Sequence, residues 1–172
     1  MSEIHIRRGV AGDAGALAEL AARTFADAFA ADNRPEDLRA HAAEVHGIRQ
    51  QTAELTDAAI ATLLADQGGT LLAYAQVRRH PPPPCVNVDR PIELQRFYVD
   101  RSAHGTGLAQ RLMSAARDAA RDFGGRHLWL GVWERNPRAI AFYRKEGFID
   151  VGSKYYDVGA DRQIDRVLVA GI

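Results

Sequence analysis

Residues 92–148 read IELQRFYVDRSAHGTGLAQRLMSAARDAARDFGGRHLWLGVWERNPRAIAFYRKEGF. No other stretch of the chain limits its fold so tightly. IELQRFYV has the aromatic and β-branched content of a strand. The two glycines of HGTGLA end it, and Leu108, Leu112, Ala115, Ala119 and Phe123 then predict the buried stripe of a helix. HLWLGVW reads as a second strand. Asn136 offers an N-cap, Pro137 suits the first helical position, and Gly147 closes that last helix. A strand that passes through a glycine turn into a helix aims backbone N–H groups and the positive dipole end at one point. Such a point suits an anion, typically a phosphate. Gly105 and Gly107 allow close backbone approach because neither has a Cβ. Two nucleotide motifs do not fit. A Walker loop would end in Gly-Lys-Ser/Thr, and a dinucleotide GxGxxG would need glycine where Gln110 stands.

The loop His104-Gly105-Thr106-Gly107-Leu108-Ala109 and the segment VWERNPRAIAFYRKEGF, in this order and spacing, resemble the GNAT superfamily of acyl-CoA-dependent N-acetyltransferases. That family's pyrophosphate loop reads Gln/Arg-x-x-Gly-x-Gly/Ala, and His104 departs from it at the first position. The pieces FADAFAADNRPEDL, ELQRFYV, LWLGVWERNPRAIAFY and GADRQID further look like the PaiA-type branch, which is linked to acetylation of polyamines.

The resemblance implies a mixed α/β (α+β) fold. Its central sheet is largely antiparallel and splayed, with helices on both faces; the length of 172 residues predicts one domain over residues 1–172. It places the pyrophosphate of acetyl-CoA on His104, Gly105, Thr106, Gly107, Leu108 and Ala109. The pantetheine arm would pair with the backbone of the strand carrying Phe97 and Val99, whose side chains can pack in the core at the same time. Asn136 would touch the pantetheine or the reacting group, beside the simpler role of helix cap. Tyr143 would contact the cofactor and protonate the leaving thiolate, since a phenol of pKa about 10 stays protonated at neutral pH. A buried structural tyrosine is the alternative. Glu93 matches a carboxylate used as general base, often through water, and a solvated strand-end acid is the other reading. An alkyl ammonium of pKa about 10.4 needs such a base.

The remaining chain fits around this stretch. Ile4, Ile6 and Val10 suggest an edge strand, and Asp13 can cap a helix carrying Leu17, Leu20, Ala21, Phe25 and Ala28. Pro35-Glu36-Asp37-Leu38 looks like a second helix start, running to about His46-Gly47. The segment through Thr56 and Asp57 has no decisive pattern. Residues 59–65 and 70–77 flank Asp66-Gln67-Gly68-Gly69 as a hairpin, with a helix open for 58–64 on propensity. Pro81 to Pro84 make residues 79–91 a surface loop. Residues 149–156 and 163–169 read as closing strands around Gly159-Ala160-Asp161-Arg162.

Charge narrows the function classes. Twenty-two basic residues balance 22 acidic ones, which argues against a dedicated nucleic-acid binder. No apolar run approaches 18 residues and no leader is evident, so no membrane partner and a cytoplasmic place are expected. The single Cys85 excludes an internal disulfide. Six histidines suggest no metal site; His41 and His46 would not share a helix face. The expected function is acetyl transfer from acetyl-CoA to a small-molecule primary amine, with spermidine or spermine as the favoured acceptors. Glu93, Glu134, Asp27, Asp32 and Glu36 are candidate partners for the distal ammonium groups. The alternatives are a protein, peptide or amino-acid N-acetyltransferase and a non-catalytic acyl-CoA-binding module. The oligomeric state stays open, a homodimer included.

Overall fold

The computed structural model describes residues 2–29, 33–38, 40 and 46–172. Among them run strands β1 (His5–Arg8), β2 (Ile60–Gln67), β3 (Thr70–Arg78), β4 (Pro91–Val99), β5 (His127–Trp133), β6 (Ile149–Val158) and β7 (Asp161–Gly171). The helices are α1 (Ala14–Phe29), α2 (Ile48–Thr56), α3 (Leu108–Asp122) and α4 (Pro137–Lys145). The strands form one sheet in the order β1-β2-β3-β4-β5-β7-β6. Every neighbouring pair is antiparallel except β4 with β5. Among the described residues no helix is long and apolar enough to cross a membrane.

The two faces of the sheet carry different layers, as the period of two along a strand requires. Ala61, Leu63 and Ala65 of β2 and Ala73, Ala75 and Val77 of β3 pack under α3, through Leu108, Leu112, Met113, Ala116, Ala119 and Ala120. The alternate residues Leu64 and Tyr74 pack under Leu17, Leu20 and Ala21 of α1. The expected stripe of α3 is thus shifted: Ala115 and Phe123 are only partly buried, and Met113, Ala116 and Ala120 are buried instead. Alanines on that face bring the helix close to a sheet that is itself alanine-rich.

The β4–β5 ladder decides the architecture. It holds only Pro91↔His127, Ile92↔Leu128 and Glu93↔Trp129. Beyond that point β4 stays paired with β3 as far as Val99, and β5 stays paired with β7 as far as Trp133. The two strands therefore diverge as a fork. A bulge sits where they part. Arg96 opposes Gln76 and Leu94 opposes Val77, so Gln95 is an extra residue in β4. A bulge bends its strand and increases local twist, which turns β4 away from β5. After it, Phe97 and Val99 face the α3 side, and Tyr98 packs with the α1 side.

A helix occupies residues 48–56, where the sequence pattern predicts none. The reason is what it buries. Its buried residues are Gln51 and Glu54, so it has no apolar stripe to read. Glu54 reaches the sheet and forms an ion pair with Arg96 of β4, both almost wholly buried. Gln76 Nε2 donates to Glu54 Oε2 at 2.9 Å and to Thr62 Oγ1 at 3.2 Å. The hairpin of β2 and β3 forms as the sequence predicts, and the helical reading of 58–64 is not adopted. The proposed second helix is helical at 35–38; its continuation through 41–45 lies outside the described residues.

Removing Glu54 would leave the Arg96 guanidinium buried without its carboxylate. Glu54→Ala is expected to cost about 3–5 kcal/mol, seen as a lower urea midpoint with an unchanged slope. Glu54→Gln, which keeps the volume and a hydrogen-bond acceptor, should cost less.

Candidate functional site

The fork opens a cavity of ≈ 660 Å³ that reaches from the glycine loop to α1. One wall is residues 94–99 of β4 and the other is Leu130 to Trp133 of β5. On this side neither strand has a ladder partner, so their backbone N–H and C=O groups line the opening. An extended ligand can complete such an edge by adding hydrogen bonds as a strand would.

The loop closes one end. Asp100 ends β4, with its Oδ1 accepting from Ser102 N at 3.0 Å and Ser102 Oγ at 2.6 Å. Those hydrogen bonds, with Arg23 beside it, hold its carboxyl down at about 2. Gly105 and Gly107 both take positive φ, 76° and 84°, and Gly107 is the N-cap of α3. A Cβ built at either position meets no atom of the described residues within 4 Å. Their glycine character therefore serves backbone conformation and open space, and no packing need explains it. The first amides of α3 have no acceptor within the helix. With the dipole they can receive an anion. His104, Gly105, Gly107, Ala109 and Gln110 line the cavity there, and Arg101 and Arg138 add positive charge to its lining. Thr106 and Leu108 do not line it. Thr106 Oγ1 donates to Ala103 O at 2.6 Å, and Leu108 is buried in the core. His104 Nε2 donates to Val99 O at 2.9 Å, so its ring is tied to the end of β4.

Tyr143 enters from α4. Its ring packs against Phe97, Phe142 and Phe148 at centroid distances of 6.2, 5.5 and 5.6 Å, all edge-on. Burial first, then the Tyr98 hydroxyl, pushes its pKa above the usual phenol value, so it holds its proton throughout the neutral range. Asn136 caps α4, accepting from Ala139 N at 3.2 Å, and also lines the cavity. Phe97, Val99, His104, Gly105, Gly107, Ala109, Asn136 and Tyr143 thus meet at one cavity.

Glu93 does not reach it. It lies at the closed end of the fork, buried and ion-paired with Arg78, on the wall of an adjoining cavity of ≈ 480 Å³. The two cavities share Gln95, Arg96, Tyr98, Gly131, Tyr156 and Asp165. Of the other predicted carboxylates, Asp27 lines the main cavity, while Glu134 and Glu36 are exposed and line neither. Asp32 and His41 lie outside the described residues.

The sequence reading missed Asp165. It pairs across the sheet with Trp133 of β5 and Lys154 of β6. Burial raises its carboxyl to about 6, Lys154 opposes the rise and Glu134 adds to it. Tyr98, on the facing strand, is raised to about 12, chiefly by burial. A signal was available: Asp165 alternates with Val167 and Val169, which predicts an acid on a buried face.

Comparisons with known proteins agree with this geometry. Residues 18–148 match the sequence model of the Acetyltransferase (GNAT) family. An uncharacterized N-acetyltransferase of Mycobacterium tuberculosis strain H37Rv is 35% identical over 157 residues, 91% of this chain and 96% of that protein. One from Lactobacillus delbrueckii subsp. lactis is 28% identical over 145 residues, 84% of each. Among solved structures, the PaiA N-acetyltransferase of Thermoplasma acidophilum in complex with coenzyme A superposes with a TM-score of 0.80. It shares 19% identity, with 99% of each chain covered. A GCN5-related N-acetyltransferase of Rhodopseudomonas palustris gives 0.77 at 18% identity, covering 100% of this chain and 98% of that one.

Gly107→Val tests the loop. Valine at positive φ costs at least about 1–2 kcal/mol, and its branches would enter the open space before the helix. CoA affinity by calorimetry is expected to fall on the order of tenfold or more. A folded variant with unchanged affinity would exclude the loop as the anion site.

Proposed function

The chain belongs to the acetyltransferase (GNAT) family and is an N-acetyltransferase, and from that premise we propose that it moves the acetyl group of acetyl-CoA directly to a small primary amine. One observation carries the reading: the β4–β5 fork opens beside a glycine loop at a helix N-terminus, with Tyr143 in the same cavity. The residues present fit coenzyme A. His104 to Ala109 supply backbone donors for its pyrophosphate, with Arg101 and Arg138 adding charge. The open edge of β4 around Phe97 and Val99 pairs with the amides of the pantetheine arm. Acetyl-CoA supplies the activated acyl group. Asn136 orients the thioester end, and Tyr143 gives a proton to the departing sulfur. One domain over residues 1–172, without a metal and in the cytoplasm, does this work.

The favoured acceptor is a small polyamine such as spermidine or spermine. Asp27, Glu93, Asp157 and Asp165 surround the two joined cavities and can match several ammonium groups. The motifs shared with the PaiA-type branch favour the same class. An amino-acid acceptor is the second reading, because Lys154 lines the adjoining cavity and could bind its carboxylate. Glu93, held by Arg78, is the base that the family pattern suggests.

Free-thiol release from acetyl-CoA over spermidine, spermine, amino acids and peptide amines tests the function. Turnover with spermidine or spermine is expected; release with amino acids or peptides alone would reject the polyamine assignment. No release with any amine would favour a non-catalytic acyl-CoA-binding module. Tyr143→Phe is expected to lower kcat about 10²–10⁴-fold with little change in acetyl-CoA KM. A folded variant with near-normal kcat would reject Tyr143 as the acid.

A further inference from the structure

Acetyl transfer to an amine requires an acid-base group on the amine's side of the fork. This inference rests on the acetyl-transfer reading above. We propose that Asp165, rather than Glu93, is the catalytic base that takes the proton from the bound amine.

Position is the first argument. Asp165 is one of six residues common to both cavities, so it stands where a substrate entering through the adjoining cavity meets the main one. Glu93 lines only the adjoining cavity and is held there by Arg78. The second argument is an unsatisfied oxygen. Asp165 is 5% exposed, and its Oδ1 is buried with no hydrogen-bond partner among the described residues. A buried carboxylate oxygen costs stability unless something donates to it. A bound ammonium, with three N–H donors, can meet that need. The third argument is Gly131. A Cβ there would lie 3.0 Å from Asp165 Oδ2 and 2.5 Å from Lys154 Cε. Glycine in mid-strand marks a close approach, and here it lets the carboxylate lie over β5 at the wall of the fork.

The charges around Asp165 suit the task. From β4, Glu93 is tied to Arg78 and Arg96 to Glu54, while Tyr98 is a protonated phenol. From β6 come Lys154, Tyr156 and Asp157; Tyr156 is also raised by burial and stays neutral. Glu134 follows β5, Asp27 comes from α1, and His46 precedes α2. Lys154 favours the charged form of Asp165, and Glu134 disfavours it. No ion pair joins Lys154 to Asp165 among the described residues, so the carboxylate remains available to a substrate. A carboxyl near 6 is ionised at neutral pH, yet more basic than an ordinary aspartate, and so better matched to the task.

The step balances. Asp165 takes one proton from R–NH3+, and the amine lone pair forms the C–N bond to the acetyl carbon. The C–S bond breaks and its electron pair leaves on sulfur, which Tyr143 protonates. The second proton on nitrogen restores the tyrosine, and Asp165 releases the first to solvent. The products are the N-acetyl amine, CoA thiol and one proton.

The test is the pH dependence of kcat/KM for the full chain with the amine found by thiol release. An alkyl ammonium titrates near pKa 10.4, so a break between pH 5 and 8 reports the enzyme. Wild type is expected to lose activity as pH falls through about 6, because the base must be ionised. Asp165→Asn should lower kcat/KM about 10²–10⁴-fold while acetyl-CoA affinity holds, and should abolish that break. Glu93→Gln should retain it. Lys154→Met should move the break to higher pH, and Glu134→Gln to lower. If Asp165→Asn does not fold, the wild-type break and these two shifts decide. No break near 6, a break that neither variant moves, or a folded Asp165→Asn enzyme of wild-type activity overturns Asp165 and leaves acetyl transfer standing. A wild type inert toward every amine overturns the acetyl-transfer reading and the base with it.

Discussion

The shortness of the β4–β5 ladder governs this protein. Three residue pairs hold the two strands together, and past Glu93 and Trp129 they part. Strand groups without ladder partners are costly if dried, on the order of 1–3 kcal/mol each. Here they line the cavity between the two strands, where an extended ligand can supply the missing hydrogen bonds. The bulge at Gln95 makes the divergence local, and the pairings of β4 with β3 and of β5 with β7 keep each arm rigid. Rigid arms around an open seam position a ligand better than loops would.

The residues around that seam come from several elements. The positive φ of Gly105 and Gly107 turns the chain from the end of β4 into α3, so the helix N-terminus faces the seam. The aromatic cluster of Phe97, Phe142 and Phe148 fixes Tyr143 from the α3 side. Asp165, Lys154 and Trp133 lie across the sheet from one another on β7, β6 and β5. The two cavities therefore open on different sides and join between the arms.

Buried charge shapes the adjoining cavity. Glu54 comes from a helix with no apolar stripe and meets Arg96 beneath the fork. A buried pair is a weak source of net stability, since desolvation offsets much of its attraction. Its effect here is positional: it ties α2 to the strand that bends and fixes one guanidinium in the cleft wall. Arg78 does the same to Glu93. Two of the buried carboxylates near the passage are thereby occupied, and among the described residues Asp165 is left with an unmatched oxygen.

Local signals were legible without coordinates. The glycine turn, the Asn136-Pro137 cap, the hairpin across Gly68-Gly69 and the stripe of α1 depend on backbone sterics and on periods of 3.6 and 2, which neighbours in sequence encode. Those signals singled out the glycine loop and Tyr143, which line one cavity, and with them the family. The sequence was silent where an element buries polar residues, as in residues 48–56, because the partner that justifies Glu54 lies 42 positions away in Arg96. It also could not tell which carboxylate is ion-paired and which keeps an unmatched oxygen. Glu93 and Asp165 both sit in strands of ordinary pattern. Only the register of β7 against β5, the missing Cβ of Gly131 and the capture of Glu93 by Arg78 separate an occupied acid from an available one. Those are relations between strands distant in sequence, and tertiary packing alone decides them.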